Sequence, residues 1–175
     1  TNVDTKYSIV CLIASGVCDM FDGTVARRCK RTSEEQLFGI ELDSLVDVFS
    51  FVAFPIIILL SLGLNKWYCL PVYILYAVFG VARLANFNIT SENNNQPRKY
   101  YEGLPVTMAA LFFPLIYLLS YVLKQNVFNI VYLITMAIIG ILFILKIKIP
   151  KPKLKASILI AVSALILTIL YLVVL

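Results

Sequence analysis

The sequence predicts an all-α membrane protein, a polytopic bundle of six transmembrane helices, on three observations. Apolar residues fill 61% of the 175 positions and charged residues 14%, with a mean hydropathy of +0.89, far above a soluble domain of this size. Six apolar stretches approach the roughly 20 residues that a helix needs to cross a hydrocarbon core about 30 Å thick. The strict alternation that a membrane barrel requires is missing. The chain has no histidine, which excludes imidazole metal ligation, histidine general bases and Ser-His-Asp triads. Cys11, Cys18, Cys29 and Cys69 fall in no CxxC or zinc spacing and read as packing residues.

Taken in order, spans are expected over 6–21, 40–62, 67–88, 104–124, 126–147 and 154–175. Gly63-Leu64-Asn65-Lys66 makes a short connection, after which Trp67 and Tyr68 read as an interface belt. Two longer polar segments, 22–39 and 89–103, read as loops. No repeat or second domain is visible, so residues 1–175 are expected to form one membrane domain. No cleavable signal is expected.

With alternating spans, 22–39, 89–103 and 146–155 share one side. That side collects Arg27, Arg28, Lys30, Arg31, Arg98, Lys99, Lys146, Lys148, Lys151, Lys153 and Lys155, eleven of fifteen basic residues. Lys6, Lys66 and Lys124 fall on the other side, and Arg83 lies near the inner end of its own span. By the positive-inside rule the three basic loops are cytoplasmic. The net charge of +5 then reflects topology and attraction to anionic head groups of the bilayer, and no nucleic-acid partner is expected.

Charges within a span cost on the order of 3 kcal/mol at mid-membrane, so the acids at the inner ends of the first two spans need a reason. Asp19 and Asp22 are three apart, and Asp43 and Asp47 four apart. Each pair lines one helical face, and two such faces packed together converge four carboxylates at the cytoplasmic side. Crowded carboxylates either take up protons or bind cations. Two divalent ions balance four aspartates, and an oxygen-only donor set favours Mg2+ or Mn2+, with Ca2+ also compatible. The plainer reading makes these residues solvated helix ends, or partners of Arg27, Arg28 and Lys30. Gly23 and Ala26 keep the face beside the acids small, and Arg27 can pair with phosphate oxygens.

Read together, Asp19-x-x-Asp22-Gly23-x-x-Ala26-Arg27 and Gly39-x-x-x-Asp43-x-x-x-Asp47 resemble the signature of the CDP-alcohol phosphatidyltransferases. The resemblance implies a membrane enzyme that moves a phosphatidyl group from a CDP-linked lipid to an alcohol and releases CMP. It implies a divalent metal pair on Asp19, Asp22, Asp43 and Asp47, with Asp47 also the catalytic base. It places Asp19, Asp22, Gly23, Ala26 and Arg27 at the CDP and diphosphate site, and it implies a homodimer. The interval from Arg28 to Phe38 is eleven residues where the family usually has eight, so an extra bulge is expected near Lys30 to Glu35. The family's usual first helix is expected to lie outside this chain.

Beyond the signature, Glu41-Leu42-Asp43-Ser44-Leu45, Arg83-Leu84-x-x-Phe87-Asn88, Tyr101-x-Gly103-Leu104-Pro105 and Lys146-Ile147-Lys148-Ile149-Pro150 resemble the phosphatidylserine synthase branch, which implies L-serine as acceptor. Glu41 is then a candidate for the serine ammonium, and Arg83, Asn88, Arg98 and Lys99 for its carboxylate or a phosphate. Each has a plainer role: Glu41 beside a helix N-terminus, Arg83 snorkelling to the interface, Asn88 capping a helix, Arg98 and Lys99 as loop charges. Gly103 and Pro105 are expected to shape the start of a span. Two alternatives stay open. One is the same chemistry on glycerol phosphate or inositol phosphate. The other is a cation transporter or channel using its carboxylates alternately, although Arg27 would then repel the ion.

Overall fold

A computed structural model of the protein describes residues 2–26, 28–92, 100–150, 162–164, 166–169 and 171. The helical expectation holds, with the first three helical stretches longer and the next two shorter than hydropathy alone implied. Helix α1 (Asn2–Ala26) is 25 residues long and carries Asp19 and Asp22 inside it. Helix α2 (Ser33–Asp47) starts seven residues before the expected span at 40. The polar loop expected over 22–39 is therefore much shorter. The reason is a capping box: the Thr32 hydroxyl accepts from the Glu35 N–H at 3.2 Å, and the Glu35 carboxylate accepts from the Thr32 N–H at 2.8 Å. Polar residues that read as loop by hydropathy thus supply the helix start.

After Asp47 the helix widens into a π segment, Val48–Ala53, and tightens again into α3 (Phe54–Ser61). Pro55 stands in the first turn of α3, directly after the π segment. A turn at Gly63, with φ +86°, leads through Trp67–Cys69 into α4 (Leu70–Glu92), which runs past the expected end at 88. Helix α5 (Ala109–Tyr117) is flanked by 3-10 turns, Val106–Met108 and Leu118–Tyr121. Helix α6 spans Gln125–Ile144. Among the described residues three helical stretches, Ser33–Ser61, Trp67–Ile89 and Gln125–Ile144, are long and apolar enough to cross a membrane, and Val106–Tyr121 is a shorter apolar helix. The span expected over 154–175 falls largely outside the described residues, of which 162–164 and 166–169 are helical.

Helix α6 displays the solvent for which the bundle is built. Phe128, Tyr132, Met136, Ile139 and Phe143 are buried on one side, while Ile130, Ile134, Ile138 and Ile141 stand exposed on the other. An apolar stripe pointing outward as well as inward suits lipid, not water. Inside, aromatic rings bind α4, α5 and α6 together: Tyr76 meets Phe113 and Phe143 with centroids 5.9 and 5.4 Å apart, and Phe113 meets Tyr132 at 5.5 Å. Their hydroxyls find backbone acceptors, as buried phenols must. Tyr76 donates to the Phe51 carbonyl at 2.7 Å, and Tyr171 donates to the Pro114 carbonyl at 2.6 Å. Small residues let helices approach: a Cβ built on Gly16 would lie 2.5 Å from Ala110 Cβ, and one on Gly80 2.6 Å from Val52 Cγ2.

A short antiparallel ribbon adds to the all-α expectation. Strand β1 (Tyr100–Glu102) pairs with β2 (Lys148–Pro150), with Tyr101 opposite Ile149. The start of the basic loop expected over 146–155 is thus tied to the segment before α5. Gly103 donates to the Ile147 carbonyl at 2.9 Å and Leu104 to the Leu142 carbonyl at 3.1 Å. Gly103 has φ +78°, and a Cβ there would stand 2.7 Å from the Phe143 carbonyl oxygen. Gly103→Ala should therefore destabilise the protein by about 1–3 kcal/mol through backbone strain and steric conflict, read as a lower unfolding midpoint in detergent. An unchanged midpoint would contradict this role.

Candidate functional site

The acids converge where the C-terminal end of α1 meets α2. Asp19 and Asp22 come from one turn of α1, and Asp43 comes from α2. Each offers a carboxylate oxygen, and the three atoms all lie within 4.8 Å of one another. Asp47, one turn beyond Asp43 on α2, is 9% exposed, and its carboxyl group is in hydrogen-bonding contact with that of Asp19. All four carboxyls predicted from spacing therefore form one cluster, with Asp47 at its buried end and Asp22 and Asp43 exposed.

The donor set fits a hard divalent cation. Oxygens bound at 2.0–2.1 Å in an octahedron stand roughly 3 Å apart when adjacent and about 4.2 Å when opposite, and Ca2+ allows somewhat more. The observed separation limit covers that range. All donors are carboxylate oxygens, with no soft ligand among them.

The surroundings of Asp22 are open. Among the described residues a Cβ built on Gly23 would meet nothing within 4 Å, and the Gly23 N–H donates to the Asp22 carboxylate. Ala26 is half-buried one turn on. This end of α1 leaves room for a ligand beside the acids. Arg27 lies outside the described residues, as do Arg98 and Lys99.

The candidates for the acceptor do not gather in one place. Asn88 lies within α4 and caps no helix; its amide donates to the Ser44 hydroxyl at 2.7 Å, bracing α4 against α2 beside Asp43. Ser44, which entered the sequence reading as part of the Glu41–Leu45 motif, gains here a bonding role that the motif did not assign it. Arg83 is 7% exposed, so it is buried and not snorkelling. Its guanidinium carbon stands 5.4 Å from the centre of the Phe87 ring. It lines a cleft of about 220 Å³ with Ala82, Asn86, Phe143, Ile144 and Lys146. Five residues apart, Arg83 and Asn88 point about 140° away from one another round the helix. Glu41 is exposed in the middle of α2, away from any helix N-terminus, and about 160° round from Asp43. Lys146 opens the third basic loop, and only the fold shows that it lines Arg83's cleft.

The acidic cluster in an apolar helical bundle defines a class, that of integral membrane proteins with a carboxylate site where two helices meet. The sequence profile of the CDP-alcohol phosphatidyltransferases matches residues 2–170, and the chain belongs to that family. It is 36% identical over 147 residues to a CDP-diacylglycerol--serine O-phosphatidyltransferase of Helicobacter pylori, covering 81% of this chain and 60% of that one. Identity to the enzyme of the same name from Saccharomyces cerevisiae is 38% over 100 residues, covering 54% of this chain and 35% of the yeast protein. Identity to an archaetidylserine synthase of Methanothermobacter thermautotrophicus is 30% over 123 residues, or 69% of this chain and 51% of the archaeal one. The aligned region thus spans between about a third and three fifths of these relatives, by the shares just given. No solved structure matches the chain significantly.

If the Asn88–Ser44 bond braces the site, Asn88→Ala and Ser44→Ala should each cost about 0.5–1.5 kcal/mol, and the double variant little more than either. Unfolding midpoints of the four proteins of this cycle check it, and simple additivity would refute the coupling.

Proposed function

We propose that this chain transfers a phosphatidyl or archaetidyl group from a CDP-linked lipid to the hydroxyl of L-serine, releasing CMP, in phospholipid biosynthesis. The observation that carries this reading is the gathering of Asp19, Asp22 and Asp43 oxygens within 4.8 Å, with Asp47 in contact, on a chain of this family. The names of the relatives favour serine over glycerol phosphate or inositol phosphate as acceptor.

In this reading Asp19, Asp22, Asp43 and Asp47 hold the metal. When bound, two Mg2+ or Mn2+ ions neutralise the carboxylates and polarise the phosphoryl oxygens. Gly23 and Ala26 leave space for the CDP moiety, and Arg27 enters on its sequence position as a phosphate partner. The serine hydroxyl gives its proton to a carboxylate oxygen of Asp47. Its oxygen then bonds to the lipid-linked phosphorus, and the bond from that phosphorus to the CMP oxygen breaks. Arg83, or Arg98 and Lys99 by sequence position, serves the acceptor carboxylate or a phosphate, while Asn88 acts through Ser44 beside Asp43. Glu41 points away from the cluster and takes no part. The basic loops support a cytoplasmic site in the cell membrane, and the working unit is taken to be a homodimer of the single domain.

The test is incubation of the detergent-solubilised protein with a CDP-lipid, Mg2+ or Mn2+, and each acceptor in turn. CMP should be released with serine. No CMP with any acceptor, from a folded sample, would sink the enzyme reading, and release with glycerol phosphate but not serine would replace the acceptor. Asp47→Asn should still bind the CDP-lipid but lose turnover by about a hundredfold or more. Full turnover in that variant would remove Asp47 as the base.

A further inference from the structure

We propose that Arg31 is a further donor-binding residue, its guanidinium seated over Gly39 to take the diphosphate of the CDP-linked lipid as it reaches the acids. The inference rests on the proposed function and adds a contact to it. The position of Arg31 is set by the helix start that follows it. The capping box fixes Thr32, and the Gln36 side-chain amide donates to the Arg31 carbonyl at 3.2 Å. The side chain is thereby turned back along α2.

Gly39 receives it. A Cβ built on Gly39 would lie 3.1 Å from Arg31 Nη1, among the described residues the only heavy atom within 4 Å of it beyond the chain neighbours and the helix backbone. The missing side chain is therefore what lets the guanidinium settle against the helix. Arg31 is accordingly half-buried, whereas Arg28, Cys29, Lys30 and residues 32–38 are all exposed.

Gly39, Asp43 and Asp47 follow one another at four-residue steps and share one face of α2. Four residues at 1.5 Å each put Gly39 about 6 Å before Asp43 along the axis. Arg31 thus sits on the ridge that leads to the carboxylates, at its open end. A diphosphate brings more negative charge to a site already holding four acids. A planar, permanently charged guanidinium one turn away offers two parallel N–H donors to phosphate oxygens. Glu35 is the competing partner. It lies one turn earlier on the same face and within electrostatic reach of Arg31, but it is fully exposed and engaged by Thr32, so a surface pairing there is worth little. A guanidinium that merely decorates the helix start would leave donor binding untouched, which makes the two roles separable.

The experiment measures CDP binding to the detergent-solubilised protein with Mn2+ by calorimetry, together with KM for CDP-lipid and for serine. Arg31→Ala is expected to weaken CDP binding and raise the CDP-lipid KM by about tenfold, with the serine KM and the unfolding midpoint unchanged. Arg31→Lys should recover only part of the loss. Gly39→Ala, whose methyl group would push the guanidinium aside by a few tenths of an ångström, should give a smaller loss, and no further loss once Arg31 is already Ala. Wild-type CDP affinity in Arg31→Ala would overturn the proposal while leaving the proposed function standing, as would additive losses in the double variant. If the wild-type protein itself neither binds CDP nor releases CMP, the proposed function and this contact fail together.

Discussion

Mutual repulsion among four carboxylates is the constraint that the rest of the bundle must meet. Two come from the last turns of α1 and two from α2, and such charges left to themselves would separate or take up protons. They stay close because the helices bearing them are fixed elsewhere by apolar contact. Gly16 lets α1 press against Ala110 of α5, and Phe51 and Val52 are buried just beyond the acids. From the other side α4 braces the same stretch, through Tyr76 on the Phe51 carbonyl and Asn88 on Ser44. The packing thus holds an arrangement that the charges alone would reject.

Much of this was legible in the sequence. Apolar runs of membrane-crossing length gave the helices, because in lipid a buried and an exposed position are both apolar and the run is uninterrupted. The four-residue and three-residue spacings gave the acid cluster, because helical periodicity fixes which side chains share a face. Other features were hidden for identifiable reasons. The early start of α2 depends on reciprocal bonds between Thr32 and Glu35, which hydropathy does not register. Glu41 consequently falls in mid-helix, away from the helix N-terminus. The Asn88–Ser44 bond spans 44 positions, and nothing local to Asn88 distinguishes a brace from a cap. The ribbon between 100–102 and 148–150 is a long-range pairing of short strands with no internal signature.

The cleft at Arg83 illustrates the same division. A cation near the inner end of an apolar helix reads as snorkelling when the helix is considered alone. Packed against α6, the same residue becomes the floor of a cavity whose rim includes Lys146. Its surroundings are assembled from two helices whose order in the chain says nothing of their contact.

The π segment that follows Asp47 has a consequence for how such a protein varies. A π turn accommodates an additional residue without breaking the helix, so it rotates everything after it relative to everything before. In Ser33–Ser61 the stretch before it carries the acids and the stretch after it, with Pro55, Ile58 and Leu59 buried, carries the bundle contact. Chemistry and architecture on this one helix therefore run on separate phases, joined by a six-residue coupling. Substitutions that repack the outer half can accumulate without turning the acids away from their partners on α1, leaving the reactive end a stable platform on which the rest of the membrane domain is free to diverge.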